Sequence, residues 1–494
     1  MSIGELIPLY ALYALLFADH GMSTGQISAL FAIWSATSFL LEVPSGAWAD
    51  TVSRRGLLVL SGALLTAGFA LWTVAPSFAG FAAGFVLWGS SGALASGTFE
   101  ALLYDDLAAR GESATYPRIL GYTRAGAEAA VVVAILAATP LYLYGGYALV
   151  GWSSVAVAAL HTVIALSLPA APKAVSAVDV DDLEDVVSES SGEDRAARSG
   201  VTRSALLHTD PDNSALRVDV VSVHDGGAAD RPVDSDVMVG AGSAARPSAL
   251  DAPRGSAPGD VGTSDAGDGA VIERDALPGG VIERPRPFAR YFGMLKAGVA
   301  EAVRVRAVRY GVLLEALLFG ITAFDEYFAL LAQQVGVSTA VVPLLVGLTV
   351  LGSLVGSVLG GRTEGMSGRT MGIVMGVAGV LFLGGALVAG LAARRPDLMY
   401  PLAVLGFTAI GISYGIVHNA VVVAGARLQE AIEGPARATV TSVSGLLSEV
   451  VALAVFGFAA VAAIWYSMST LLALLGAAML GIAALTPRWL PRRR

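Results

Sequence analysis

"LLEVPSGAWADTVSRRGLLVL", residues 40–60, is the stretch on which the reading of the fold turns. Two apolar flanks enclose Glu42, Pro44, Gly46, Asp50, Arg54 and Arg55. The apolar character extends upstream over 26–48 and downstream over 57–74. A bilayer core about 30 Å thick is crossed by roughly 20 apolar residues in a helix. Both flanks have that length, so the charged middle reads as a turn at a membrane surface.

Composition agrees. Of 494 residues, 55% are hydrophobic and only 14% charged, against about 25% charged in a soluble domain. So few charges cannot cover a water-facing surface of this size. There is no cysteine, which excludes disulfides, thiolate catalysis and Cys-ligated metal. No phosphate-binding loop, metal-ligand spacing or nucleophile–base arrangement is found. An enzyme or ATP-driven pump is therefore not expected, nor a cofactor, a metal or a nucleic-acid partner. The net charge of −9 misleads, because residues 173–283 alone hold 22 acidic and 9 basic residues. The rest of the chain is net basic. The first apolar run has no basic lead and no small-residue cleavage site, so no cleavable signal peptide is expected.

The 20-residue ruler gives twelve spans. Six precede residue 170: about 3–18, 26–48, 57–74, 78–103, 119–138 and 147–168. Six follow: about 308–331, 341–360, 370–393, 399–423, 439–463 and 466–485. Arg54, Arg55, Arg110, Arg118, Arg362, Arg369, Arg427, Arg437 and the terminal arginines fall on one side. By the positive-inside rule that side is cytoplasmic, together with both termini. Arg394 and Arg395 are a local exception.

Four segments result: an N-terminal half (1–169), an acidic cytoplasmic linker (170–287), a surface helix (288–306) and a C-terminal half (307–494). The linker is rich in Asp, Ser, Gly, Ala and Pro with little apolar periodicity, so it is expected to be disordered. "VIER" occurs twice in it, at 271–274 and 281–284, by coincidence or as a docking motif. Phe288, Tyr291, Phe292, Leu295 and Val299 recur at helical spacing beside Lys296, Arg304 and Arg306. That pattern predicts a helix lying on the inner surface.

The halves repeat. "GMSTGQ" at 21–26 matches "GVSTAV" at 336–341, and the same offset brings Gly46 onto Gly361 and Arg54 onto Arg369. Two six-helix halves joined by a long loop is one layout of secondary transporters.

"GAWADTVSRR" resembles the loop motif between helices 2 and 3 of the major facilitator superfamily, through Gly46, Ala49, Asp50, Arg54 and Arg55. Trp48, Thr51 and Ser53 depart from it. "EVPSG" and "SGTFEALLYDD" (96–106) are similar to a bacterial subgroup of that superfamily. The resemblance implies an all-α membrane protein of twelve helices that moves a small solute by alternating access, as a monomer in the bacterial plasma membrane. Proton coupling is expected, and export is read ahead of uptake. A transporter-derived sensor signalling through the acidic linker is the other reading. Trp88 stands where many proton-driven drug exporters carry an arginine, and the helix 5 antiporter pattern is reduced to "AATPLYLYGG".

The resemblance also implies a latch. Gly46 would let helices 2 and 11 approach closely. Asp50 would accept hydrogen bonds at the positive N-terminus of helix 11. Arg54 would pair with Asp105 or Asp106, and Arg55 belongs to the same turn. These contacts are expected in the inward-closed state.

Ionisable groups inside spans are functional candidates by default. They are Glu42, Glu100, Arg124, Glu128, Asp325, Glu326, His418 and Glu449. Glu42 either pairs with Arg124 or touches solute. Arg124 and Glu128, four apart on one face, can pair with each other. Glu449 and Asp325 are read as proton carriers or solute contacts. Neighbouring acids on an α-helix point about 100° apart, so at most one of Asp325 and Glu326 is expected to face a cavity. His418 with Asn419 is either a proton relay or a packed histidine.

Overall fold

The computed structural model describes residues 2–169, 202–209, 216–223, 304–432 and 437–492. The chain divides into two units, one of Met1–Ala174 with Arg284–Arg494, the other Val175–Glu283. The described part of the first unit is helical throughout. Within the second, two antiparallel strands pair, β1 (Thr202–Thr209) with β2 (Leu216–Val223), in register from Thr202 opposite Val223 to Thr209 opposite Leu216. These sixteen residues depart from the expected lack of order. "LRVDVVSV" is rich in β-branched residues, which favour strands. The "VIER" repeats and most of the expected surface helix at 288–306 lie outside the described residues.

Eleven stretches among the described residues are long and apolar enough to cross a bilayer. One of them, Ser113–Leu166, has 54 residues, about 80 Å at 1.5 Å per residue. It cannot be a single crossing of a 30 Å core. Its long helix, Tyr116–Leu166, loses helical dihedrals at Gly145 and Gly146, where Gly146 has φ 59° and ψ −156°. Only glycine enters that region without steric cost. The stretch is thus helix 5 (116–144) followed by helix 6 (147–166), as the hydropathy pattern predicts.

The remaining crossings are helix 1 (Ser2–Asp19), helix 2 (Thr24–Thr51), helix 3 (Arg54–Val74), helix 4 (Phe78–Ala109) and helix 7 (Arg306–Val335). Then come helix 8 (Val342–Thr363), helix 9 (Gly368–Ala392), helix 10 (Met399–Ala431), helix 11 (Arg437–Ala462) and helix 12 (Met468–Trp489). Serine caps recur. Ser23 and Gln26 form a reciprocal capping box on helix 2, and Ser53, Ser77, Ser367 and Ser467 cap helices 3, 4, 9 and 12. Each satisfies an amide that the start of a helix leaves open. The repeated "GxST" motif has one structural role in both halves: Gly21 (φ 83°) and Gly336 (φ 94°) end helices 1 and 7 in the left-handed region.

Three crossings are broken. Helix 4 divides at Gly97 (φ 67°) into Phe78–Ala95 and Thr98–Ala109. Helix 1 opens with 3-10 turns at Ser2–Glu5 and Pro8–Ala11 before its α segment Tyr13–Asp19. Leu9, in the first turn of the second segment, has no intrahelical partner for its amide, which donates to Ser154 Oγ of helix 6 at 3.0 Å. In a lipid core every such group needs an internal partner. Helix 7 runs as Arg306–Gly320, a 3-10 segment Ile321–Tyr327, and Phe328–Val335.

The two halves repeat their packing. Helix 2 lies on helix 4, helix 3 on helix 4, and helix 3 on helix 6; helices 8 and 10, 9 and 10, and 9 and 12 pair the same way. Glycines set these distances. A Cβ on Gly352 or Gly356 of helix 8 would run into the backbone carbonyls of Gly411 or Gly415 on helix 10. Such spacing by small residues lets helices approach closely in lipid. Across the halves, helix 2 meets helix 11 and helix 5 meets helix 8. The contact of helices 2 and 11 is the one expected from Gly46, whose own surroundings lie outside the described side chains.

Candidate functional site

A cavity of about 190 Å³ lies between helices 2, 7 and 11. Helix 2 contributes Trp34, Ser35 and Ser38. Helix 7 contributes Phe319, Gly320, Thr322, Ala323, Asp325 and Glu326. Helix 11 contributes Ser448, Glu449, Ala452 and Phe456. Three carboxylates therefore border one cavity, with no lysine or arginine among the described residues of its wall.

Both neighbouring acids of helix 7 reach it. Asp325 and Glu326 fall in the 3-10 segment Ile321–Tyr327, where three residues per turn set neighbours about 120° apart. The expectation that only one of them faces the cavity is corrected: both line it. The Tyr414 hydroxyl on helix 10 donates to Asp325 Oδ2 at 2.5 Å. Ser35 Oγ on helix 2 donates to Glu449 Oε2 on helix 11 at 2.5 Å. This second bond joins the halves. So does the bond from Tyr327 on helix 7 to Ser28 on helix 2, at 2.8 Å. Glu326 meets no hydrogen-bond donor among the described residues.

Trp34 stacks on Trp88 at 4.9 Å between ring centroids, and Trp88 stacks on Tyr10 at 5.3 Å. An aromatic column thus runs from the cavity wall into the N-terminal half. Sequence reading missed Trp34, Ser35, Tyr414 and Ser448. They carry no charge, so only their position marks them.

The other candidates stand elsewhere. Glu42 is exposed and accepts from Ser96 Oγ at 3.0 Å. Neither the Glu42–Arg124 pair nor the Arg124–Glu128 pair is among the ion pairs of the described residues. Arg124 and Glu128 are both exposed on helix 5. Glu100 lies half-buried in the second arm of helix 4, outside the cavity wall. His418 packs edge-on against the Tyr414 ring at 4.5 Å. Asn419 does not continue a relay from it. Its amide donates to Gly356 O at 3.1 Å and its carbonyl accepts from Thr363 at 3.0 Å, which fixes it against helix 8.

In the turn after helix 2, Arg54 forms an ion pair with Asp105 and donates to Ala101 O at 3.3 Å. Asp106 instead pairs with Arg110, one helical turn on, at 2.9 Å. Arg55 donates to Leu168 O at 3.3 Å. Arg54 and Asp105 belong to the same half, so their pair cannot by itself join the halves. Of the two acids expected as its partner, Arg54 takes Asp105. The side chain of Asp50 lies outside those described. Arg427, counted among the arginines of one side, is buried, and its guanidinium donates to the carbonyls of Glu364, Met366 and Pro491.

At the end of the bundle carrying Asp19, two bonds join the halves, from Gln333 Nε2 to Asp19 at 2.9 Å and from Thr139 to Ala340 O at 2.9 Å. The hydroxyl of Tyr147, in the N-terminal half, donates to Asp19 at 2.6 Å and holds it in place. Towards the other end, a Cβ on Gly121, Gly361 or Gly445 would meet nothing within 4 Å.

Two six-helix halves around an acidic cavity at their junction define a transporter fold. The family model of the Major Facilitator Superfamily matches residues 1–449, and the chain belongs to that family. It is a multi-pass membrane protein and a transporter rather than an enzyme. No curated protein matches its sequence. Among solved structures, the nucleoside transporter NupG is similar in fold, with a TM-score of 0.61 at 8% identity over 100% of this chain and 98% of that one. A mutant of the peptide transporter POT has a TM-score of 0.56 at 11% identity over 98% and 92%.

Proposed function

We propose that the protein is a proton-coupled secondary transporter whose solute binds between helices 2, 7 and 11, and that it works as an exporter with both termini in the cytoplasm. The observation that carries this reading is the bond from Ser35 to Glu449. It ties a carboxylate of the C-terminal half to the N-terminal half at the cavity wall. Any rocking of one half on the other changes the surroundings of that carboxylate, and adding or removing its proton changes the bond. Protonation and alternating access are then linked by one group. The clustering of arginines on the side of the termini supports the orientation.

Glu449→Gln and Asp325→Asn each keep the shape of the cavity and remove a protonation site. In proteoliposomes, either substitution at a proton-carrying position is expected to abolish accumulation driven by a pH gradient while sparing solute exchange at equal pH. Full gradient-driven accumulation in both variants would exclude these two acids as the carriers. Solute binding without any flux in the unsubstituted protein would instead favour a sensor.

The state described has its Asp19 end closed, which with cytoplasmic termini is the outer end. Asp19 and Asp50 should therefore act in opposite directions. Asp50→Asn removes a helix-end interaction of about 0.3–2 kcal/mol from the inward-closed form. At about 1.4 kcal/mol per tenfold, the equilibrium moves up to roughly thirtyfold. Asp19→Ala removes contacts of the outward-closed form. A single cysteine at Gly121, where the space is open, should label faster beside Asp50→Asn and slower beside Asp19→Ala. Equal rates in all three backgrounds would remove the latch from the mechanism.

A further inference from the structure

We infer that the solute of this cavity is an organic cation carrying an aromatic or similarly flat apolar group. The inference rests on the reading of the cavity as the solute site and adds the chemical class of what enters it. Two independent features of the wall point the same way. The first is charge. Asp325, Glu326 and Glu449 converge on about 190 Å³ from two helices, and no lysine or arginine is among the described residues of the wall. Asp325 and Glu449 are each held by one hydroxyl, and Glu326 by no donor among the described residues. Carboxylates in a water-poor site need a compensating positive charge or a proton. A cationic solute and protons can occupy the same groups in turn, which is what exchange across a membrane requires.

The second feature is aromatic. Trp34 and Phe456 border the same cavity, and Trp34 is backed by Trp88 at 4.9 Å with an interplanar angle of 27°. Indole rings attract cations through their electron-rich faces, and more strongly where water is excluded. Stacking also holds Trp34 in one orientation, so a solute meets a fixed surface and little side-chain order is lost on binding. An anionic solute would face three carboxylates without a basic partner. A neutral polar solute could donate a hydrogen bond to Glu326 but would bring no positive charge to the three carboxylates.

The test uses the purified full-length protein and three probes of similar size: phenyltrimethylammonium as cation, N,N-dimethylbenzamide as neutral compound and benzenesulfonate as anion. Binding is read by tryptophan quenching and by the shift in thermal unfolding, since a ligand of the native state raises the unfolding midpoint. The cation is expected to bind saturably and the anion not at all. Trp34→Ala should weaken cation binding by about tenfold, within the range of a desolvated cation–π contact, while Trp34→Phe restores most of it. Glu326→Gln should weaken cation binding by at least as much and leave the benzamide unaffected. Equal binding of all three probes, or binding of the cation that neither substitution alters, overturns the inference. Flux of the same probes in proteoliposomes separates the two levels. Movement of the anion or the benzamide but not the cation refutes the class and keeps the transporter. Binding of the cation without movement refutes the transporter and keeps the class.

Discussion

Gly356→Leu is expected to abolish accumulation of folded protein in the membrane. The Cβ of any residue at 356 would run into the carbonyl of Gly415 on helix 10, and Gly352 and Gly411 repeat the approach one turn away. The obstacle is backbone on both sides, so no rotamer change relieves it. Overpacking ordinarily costs about 1–3 kcal/mol where side chains can move. Here two helices must separate along their length, and the dispersion contacts that hold helices together in lipid are lost with them. Asn419 bonds to Gly356 O across the same seam and would lose its partner. Detergent-extractable protein, followed by size-exclusion chromatography, is the measurement. Gly352→Ala should lower the unfolding midpoint without preventing folding. Gly376→Leu on helix 9 should be nearly silent, because a Cβ there meets nothing within 4 Å. Normal yield and midpoint for Gly356→Leu would show that the seam can open freely.

Asp105→Ala is the second large effect. Asp105 is 4% exposed and pairs with Arg54, whose side chain is 16% exposed. Removing one member of a buried pair leaves an uncompensated charge and costs about 3–5 kcal/mol. A protein is stable by only about 5–15 kcal/mol, so the unfolding midpoint should fall steeply. Arg54→Ala with Asp105→Ala should recover much of the loss, because no isolated charge remains. The pair of Arg110 with Asp106 is the contrast. Arg110 is 59% exposed, and exposed pairs contribute about 0–1 kcal/mol, so Arg110→Ala should barely move the midpoint. Equal effects of Asp105→Ala and Arg110→Ala would mean that the Arg54 pair is solvated like the other.

The sequence by itself determined the crossings and their repetition. Hydropathy alone ends one crossing near 138 and begins the next near 147, and the helical dihedrals are lost in that interval, at Gly145 and Gly146. It succeeds because lipid demands about 20 apolar residues per crossing whatever the tertiary contacts are. The offset between "GMSTGQ" and "GVSTAV" found the two halves because both stretches serve the same end. A left-handed glycine stops each preceding helix, and that is a local requirement. The charged turn at 50–55 gave Arg54 its acid at the end of helix 4, but left Asp105 and Asp106 open. Burial decided between them, since only Asp105 points into protein while Asp106 reaches Arg110 on the surface.

Only the tertiary structure decided which intramembrane charges share a site. Eight ionisable residues looked alike along the chain, yet Asp325, Glu326 and Glu449 meet at one cavity and Glu100, Arg124 and Glu128 do not. Sequence spacing fixes the direction of a side chain only while the helix is regular. Along the 3-10 segment Ile321–Tyr327 two neighbouring acids line the same cavity although their directions differ. The uncharged members of the site were the least visible. Ser35 and Trp34 are ordinary residues of an apolar helix until helix 11 and the Trp88–Tyr10 column are packed beside them. Arg427 shows the opposite case. Its charge marked only a side of the membrane; the helix ends around it supply open backbone carbonyls, and these hold the guanidinium inside the protein.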